Sequence, residues 1–298
     1  MTAGGGPVAK KRGDHSVLFR GGAARGRTGV LLIHGLGGTP LELKTVARGL
    51  AARGWTVSCC QLAGHCGTED DLLKTTWADW FASAERALAE LERECDTILV
   101  GGLSIGAVLA LRLAALNPDR AHGALLFAPT LWYDGWAVPW YRFMLKLAFK
   151  AKWLKRMRFA ERSPFGIKDE GIRAIVAGAM LSGKSAEAGL TCTPLGALRE
   201  ADELVRDVER RLPSIKTPAL IVHPREDDIS DLSNAIYLQR NLGGLADCVV
   251  LNDSYHIVTV DRQRDILIDR TANFIEFIER RIAGATDAGA RVVPLTKG

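Results

Sequence analysis

Residues 97–111, TILVGGLSIGAVLAL, decide the fold. Thr97–Gly101 is a short apolar run of the kind that forms a strand buried on both faces. An alanine- and leucine-rich helix follows and ends near Asn117-Pro118. Between them lies Gly102-Leu103-Ser104-Ile105-Gly106, a complete G-x-S-x-G. A strand, this pentapeptide and a helix make a nucleophile elbow. The turn is too tight for side chains at its flanks, which accounts for Gly102 and Gly106. It holds Ser104 in a strained conformation with its hydroxyl exposed. The helix N-terminus favours negative charge developing nearby. A plain Gly-Ser turn entering an ordinary helix is the competing reading, and the strand and helix on either side weigh against it.

Working outward, Gly29–His34 (GVLLIH) reads as a second buried strand. Gly35–Thr39 is a glycine-rich turn, and Pro40 opens a helix striped by Leu41, Val46 and Leu50. Strands are expected at 56–62, 123–127, 219–223 and 248–251, and helices at 76–94, 233–242 and 263–282. This alternation predicts an α/β fold with a mostly parallel central sheet and helices on both faces. From Pro129 to Leu212 the strand rhythm stops, so residues 129–212 are expected to form a helical cap inserted into one core made of 29–128 and 213–284. Residues 1–28 and 285–298 read as tails.

The chain has 298 residues, 47% of them hydrophobic and 24% charged, an ordinary globular composition that excludes disordered and fibrous classes. No apolar run approaches the ~18 residues of a membrane span. The net charge of +5 is unevenly spread. Residues 1–28 and 142–162 are strongly basic, and the remainder is acidic. The global value therefore gives little reason to expect nucleic acid as a partner. The first residues lack the apolar core of a signal peptide, which makes the cytoplasm the expected location. Six cysteines without C-x-x-C or zinc spacing are expected to be free thiols. His65, Cys66 and Glu69–Asp71 match no standard ligand set, so no metal is expected.

A serine hydroxyl needs a base, and the base needs an orienting carboxylate. Where an elbow carries the nucleophile, the acid and then the histidine follow it in the chain. Of the six histidines, His122, His223 and His256 follow Ser104. His122 has no preceding loop to supply an acid, and His223 ends a strand and packs there. His256, in the polar loop Asn252–His256, is the candidate base. The acid is expected in Pro224-Arg225-Glu226-Asp227-Asp228, where chemistry alone does not choose among three adjacent carboxylates. The oxyanion requires backbone N–H donors, assigned to Ile105 and Leu36, with Gly35 and Gly37 letting the backbone approach the substrate.

The stretches GVLLIHGLGGTPLEL, GHCGTEDDL, ILVGGLSIGAVLAL, IVHPREDDIS and NDSYHIVTVDRQRD, spanning Gly29 to Asp265, resemble the α/β-hydrolase superfamily, most closely its bacterial carboxylesterase and monoacylglycerol-lipase branch. The resemblance implies Asp227 as the acid, with Asp228 as runner-up, His256 as the base and Leu36 as the first oxyanion donor. It also implies no metal and no cofactor. Two departures stand out. Tyr255 replaces the glycine usual before the histidine, which places it at the pocket. The cap is also longer than in compact esterases.

Residues 131–165 hold half of the chain's aromatics, interleaved with basic side chains. Cap aromatics usually pack on the core. Here they also suit an acyl-chain pocket with a basic rim, Trp132 and Trp136 contacting substrate, and the rim making peripheral contact with anionic lipid. The expected activity is hydrolysis of carboxylic esters with medium or long acyl chains, or of acylglycerols, by Ser104, His256 and Asp227. A thioesterase or acyltransferase would use the same three residues. A catalytically dead fold kept for binding is the non-enzymatic alternative.

Overall fold

The computed structural model describes residues 13–22, 25, 27–183 and 185–290, with side chains at 141, 142, 146, 152 and 285–290 left aside. The chain opens with β1 (Val17–Phe19) and β2 (Thr28–Ile33), then α1 (Lys44–Ala51), β3 (Thr56–Cys60), α2 (Glu69–Leu73) and α3 (Trp77–Leu91). The elbow joins β4 (Thr97–Leu103) to α4 (Ile105–Leu116), and β5 (Gly123–Phe127) follows. The insertion contains α5 (Leu145–Ala148), β6 (Arg158–Ala160), α6 (Glu170–Leu181), α7 (Ser185–Ala188) and β7 (Cys192–Pro194). The chain returns through α8 (Leu195–Glu209), β8 (Ala219–Pro224), α9 (Ser233–Asn241), β9 (Ala246–Leu251) and α10 (Arg264–Ala290).

Seven strands form one sheet in the order β1-β3-β2-β4-β5-β8-β9. Every pairing is parallel except that of β1 with β3. Burial on both faces explains the unbroken apolar strands. Alternate residues of β2 enter opposite cores, Leu31 and Ile33 one and Val30 and Leu32 the other. In β5, Ala124 and Leu126 face the first core while Leu125 and Phe127 face the second. The first core is closed by α3, α4 and α8, the second by α1 and α10. Helix α4 is buried along almost its whole length, which is why it reads as uniformly apolar instead of striped.

Four expectations are corrected. Val17–Phe19 belongs to the sheet, with Val17 opposite Cys59, so the N-terminal tail is shorter than residues 1–28. A three-residue edge strand is too brief to show periodicity. Residues 1–12 of that tail, and 291–298 of the other, lie outside the described residues. Helix α8 belongs to the core, because Ala201, Leu204 and Val208 pack against the α3–α4 layer, so the cap ends before Leu195 and not at 212. Helix follows cap without an intervening core strand, and periodicity alone shows no border there. The cap also holds a two-stranded antiparallel ribbon, β6 with β7, with Phe159 opposite Thr193. Finally, α10 runs on to Ala290, past the expected end of the core. Among the described residues no helix is long and apolar enough to cross a membrane.

Candidate active site

Ser104 sits between β4 and α4 with φ 57 and ψ −120. A non-glycine residue in this region costs on the order of 1–3 kcal/mol, which the surrounding packing must hold. A Cβ on Gly106 would lie 2.1 Å from the Ile33 carbonyl oxygen, and one on Gly102 2.4 Å from the same atom. Both elbow glycines are therefore dictated by contact with β2. The Ser104 N–H donates to the Phe127 carbonyl at 2.9 Å, tying the elbow to β5. Ser104 is half-buried, and its hydroxyl pairs with Thr130 Oγ1 at 3.1 Å.

The loop after β8 separates the adjacent acids by what each accepts. Asp227 takes His256 Nδ1 at 2.9 Å on Oδ2 and 3.0 Å on Oδ1. The N–H groups of Ile229 and Ser230 also donate to Oδ1, each at 2.8 Å. A carboxylate only accepts, so the His256 proton resides on Nδ1 and leaves Nε2 unprotonated in the neutral ring. Asp228 accepts the His256 backbone N–H at 3.2 Å and the Gly166 N–H of the cap at 3.0 Å, so it fixes main chain on two elements. Both imidazole and acid are buried, at 4% and 3% exposure.

Burial would raise the Asp227 carboxyl, but the charge and hydrogen bond of His256, with His223 behind, outweigh it and hold Asp227 below the carboxylate range. Burial would lower His256, yet the charge and hydrogen bond of Asp227, with Asp228 and Glu161, hold it above the histidine range. Burial is also the main reason that Asp228 is raised.

The turn after β2 is organised from beneath. His34 Nδ1 meets the Gly35 carbonyl at 2.9 Å, and Nε2 accepts the Leu62 N–H at 3.2 Å. That pattern requires the neutral ring, and burial lowers His34 to about 3. Glu42 accepts from the Thr39 N–H at 3.3 Å and the Gly35 N–H at 3.4 Å. It is a site residue that the sequence reading missed, although Thr39-x-x-Glu42 carries the capping-box spacing. Burial pushes its carboxyl up to about 7.

A cavity of about 940 Å³ runs beneath the cap. Gly35, Leu36, Gly37, Ser104 and His256 border it from the core side. From the cap side it is lined largely by apolar residues such as Leu145, Leu154, Phe159 and Phe165. The site thus brings together the expected nucleophile, base and glycine turn. Ile105 is buried at the start of α4, where only its backbone could serve the site.

Trp132, Trp136 and Tyr255 are corrected, because none of them borders the cavity. Trp132 donates to Asp134 and packs edge-on against Tyr237. Trp136 donates to the Glu226 carbonyl and meets the Tyr255 ring with centroids 5.4 Å apart. Lys168 Nζ lies 5.4 Å over the same tyrosine ring and pairs with Glu226 and Asp253. Tyr255 therefore clamps the cap from outside to the loops that carry Asp227 and His256. Tyr133 and Glu161 border the cavity instead, and no sequence periodicity marks them.

The acids of the GHCGTEDDL loop have structural partners: Glu69 pairs with Arg158 and Asp70 with Arg156 of the cap, while Asp71 completes the Thr68 capping box. Outside the cavity the cap leaves Trp140 81% and Trp153 82% exposed, with Phe143 also exposed. Lys150 and Lys155 are exposed on the same segment.

Residues 24–263 match the family model described as serine aminopeptidase, S33. A thermostable monoacylglycerol lipase of Bacillus sp. (strain H-257) is 28% identical over 260 residues, covering 85% of this chain and 92% of the relative. A carboxylesterase of Bacillus subtilis (strain 168) is 25% identical over 257 residues, covering 85% of this chain and 94% of the relative. Among solved structures, one reported with the metagenome-derived lipolytic enzymes LipS and LipT superposes with a TM-score of 0.74 at 28% identity, covering 89% of this chain and 98% of that one. With a mostly parallel sheet, a strained serine elbow and a family match over most of its length, the chain belongs to the serine aminopeptidase S33 (Hydrolase_4) family of α/β hydrolases.

Proposed function

We propose that the protein hydrolyses carboxylic esters through an acyl-enzyme on Ser104. The observation that carries this reading is the buried Asp227–His256 pair opening onto the same cavity as a serine held on a strained elbow. Ser104 Oγ attacks the ester carbonyl carbon while His256 Nε2 takes the hydroxyl proton, and the carbonyl electron pair moves to oxygen. The N–H groups of Leu36 and Ile105 receive that oxyanion. Collapse expels the alcohol, which His256 protonates, and water then attacks the acyl-enzyme by the same route. Asp227 holds the imidazole tautomer and stabilises its positive form.

The largely apolar cavity supports medium or long acyl chains, or monoacylglycerols, as substrates. The exposed aromatic and basic side chains on 140–155 support contact with an anionic lipid surface beside that cavity. The test is a panel of p-nitrophenyl esters from acetyl to palmitoyl, with a monoacylglycerol, an acyl-CoA and an aminoacyl amide alongside. Higher kcat/KM for the longer esters is expected, and a clear preference for acetyl overturns the chain-length reading. Preferred turnover of acyl-CoA or the amide replaces ester hydrolysis with thioester or peptide chemistry. Phosphatidylglycerol vesicles should co-sediment the protein in low salt, and sedimentation equal to that with neutral vesicles refutes the lipid contact.

A further inference from the structure

The Ser104 hydroxyl belongs to a buried chain of hydroxyls that the catalytic scheme above does not use. Ser104 Oγ lies 3.1 Å from Thr130 Oγ1, and Thr130 Oγ1 lies 3.1 Å from Ser230 Oγ. Ser230 Oγ reaches Asp227 Oδ2 at 3.5 Å. Thr130 and Ser230 are buried. The chain therefore joins the nucleophile to the carboxylate by a path that does not pass through the imidazole.

Thr130 is held there from two sides. Ala128, two residues earlier, has a φ of 41, a left-handed conformation unfavourable for alanine. The next two N–H groups, of Leu131 and Trp132, both donate to Asn234 Oδ1, at 2.8 and 3.0 Å. Backbone strain maintained next to a reactive atom points to a task at that atom.

We propose that Thr130 is a further catalytic residue, whose hydroxyl donates a hydrogen bond to Ser104 Oγ when that oxygen leaves the acyl-enzyme. This rests on Ser104 being the nucleophile. Each hydroxyl has one proton, and Thr130 can direct its own to Ser230 at 3.1 Å, to the Ala128 carbonyl at 3.3 Å or to Ser104 at 3.1 Å. At rest, ionised Asp227 can only accept. Ser230 then donates to Asp227, Thr130 to Ser230 and Ser104 to Thr130. Once Ser104 carries an acyl group it has no proton to give. Thr130 turns to donate to Ser104 Oγ, and Ser230 turns to donate to Thr130. No proton changes owner in this reversal, and Asp227 gives up only its longest contact.

In deacylation, water forms a bond to the acyl carbon and passes a proton to His256. The tetrahedral intermediate then collapses. The Oγ–carbon bond breaks, its electron pair goes to Oγ, and His256 returns the proton to that oxygen. The ester oxygen of the acyl-enzyme is a weak acceptor and the departing oxygen a strong one. The Thr130 bond consequently strengthens as Oγ leaves, so it favours the transition state over the acyl-enzyme. A hydrogen bond to a charged group of this kind is worth about ten- to a hundred-fold in rate.

Burst kinetics of Thr130→Val with a p-nitrophenyl ester test the proposal. The isosteric change keeps volume and removes the donor. Steady-state kcat should fall about ten- to a hundred-fold, with a product burst approaching one equivalent per enzyme. The acyl adduct should map to Ser104 by peptide mass spectrometry. Thr130→Ser should restore kcat. Ser230→Ala should lower it a few-fold in the same direction, and it decides the matter if Thr130→Val does not fold. An unchanged kcat without a burst overturns the role of Thr130. Wild-type acylation at a residue other than Ser104 is a separate failure, that of the nucleophile assignment itself.

Discussion

Ser104→Ala is expected to lower kcat by about 10⁶-fold, the order seen when a triad nucleophile is removed. The loss should be confined to chemistry. The hydroxyl makes one hydrogen bond, to Thr130, and the backbone N–H that anchors the elbow to Phe127 survives the change. Alanine must occupy the same positive φ, at a cost that serine already bears. Thermal stability should accordingly change by no more than about 1 kcal/mol. The glycine turn, the cavity and the His256–Asp227 pair persist, so the variant should still bind substrate and a little catalysis over water should remain. Kinetics with a butyryl ester, a melting curve and fluorophosphonate labelling read by intact mass settle the matter together. Equal labelling of wild type and variant would remove Ser104 from the mechanism.

The elbow was legible in the sequence because its two glycines answer to the backbone of β2, a steric demand that leaves a fixed spacing in the chain. The buried strands were legible for a similar reason. Residues that enter two cores alternately leave an unbroken apolar run. Side-chain direction was another matter. Trp132, Trp136 and Tyr255 are each followed in sequence by a residue that borders the cavity, Tyr133, Ala137 and His256, yet none of the three borders it. Outside regular helices and strands no period dictates which neighbour points inward. Glu42 carried a readable capping spacing, but its second contact, to Gly35, depends on the curl of the turn. Thr130 had no local signal at all. Its importance comes from Ser230, a hundred residues away, and from the Ala128 backbone. Helix α8 shows the same limit on a larger scale, since the surface it covers on α3 and α4 comes from a distant part of the chain.

Asp227→Asn is expected to cost about 10⁴-fold in kcat, and Asp228→Asn about tenfold or less. The geometry makes the two adjacent acids unequal. Asp227 accepts the Nδ1 proton that fixes the tautomer, whereas an asparagine can turn its amide toward Nδ1, forcing the ring proton to Nε2 and blocking the base. Asp228 holds only main-chain donors, and one of them keeps an acceptor in the asparagine variant. The pH profile provides a second discriminant. As the proposed base, His256 can act only when neutral, so activity should be present above its pKa and be lost as pH falls through it. In the wild type that value lies above the ordinary ~6.5, chiefly because of Asp227. Removing the Asp227 charge should let burial dominate and lower the His256 pKa. The acid limb then moves to lower pH while the plateau falls. Asp228→Asn should move the limb the same way but less, with the plateau largely retained. A 10⁴-fold loss in Asp228→Asn with a nearly intact Asp227→Asn would exchange the two roles, and a limb that moves to higher pH in Asp227→Asn would contradict the electrostatic account of the pair.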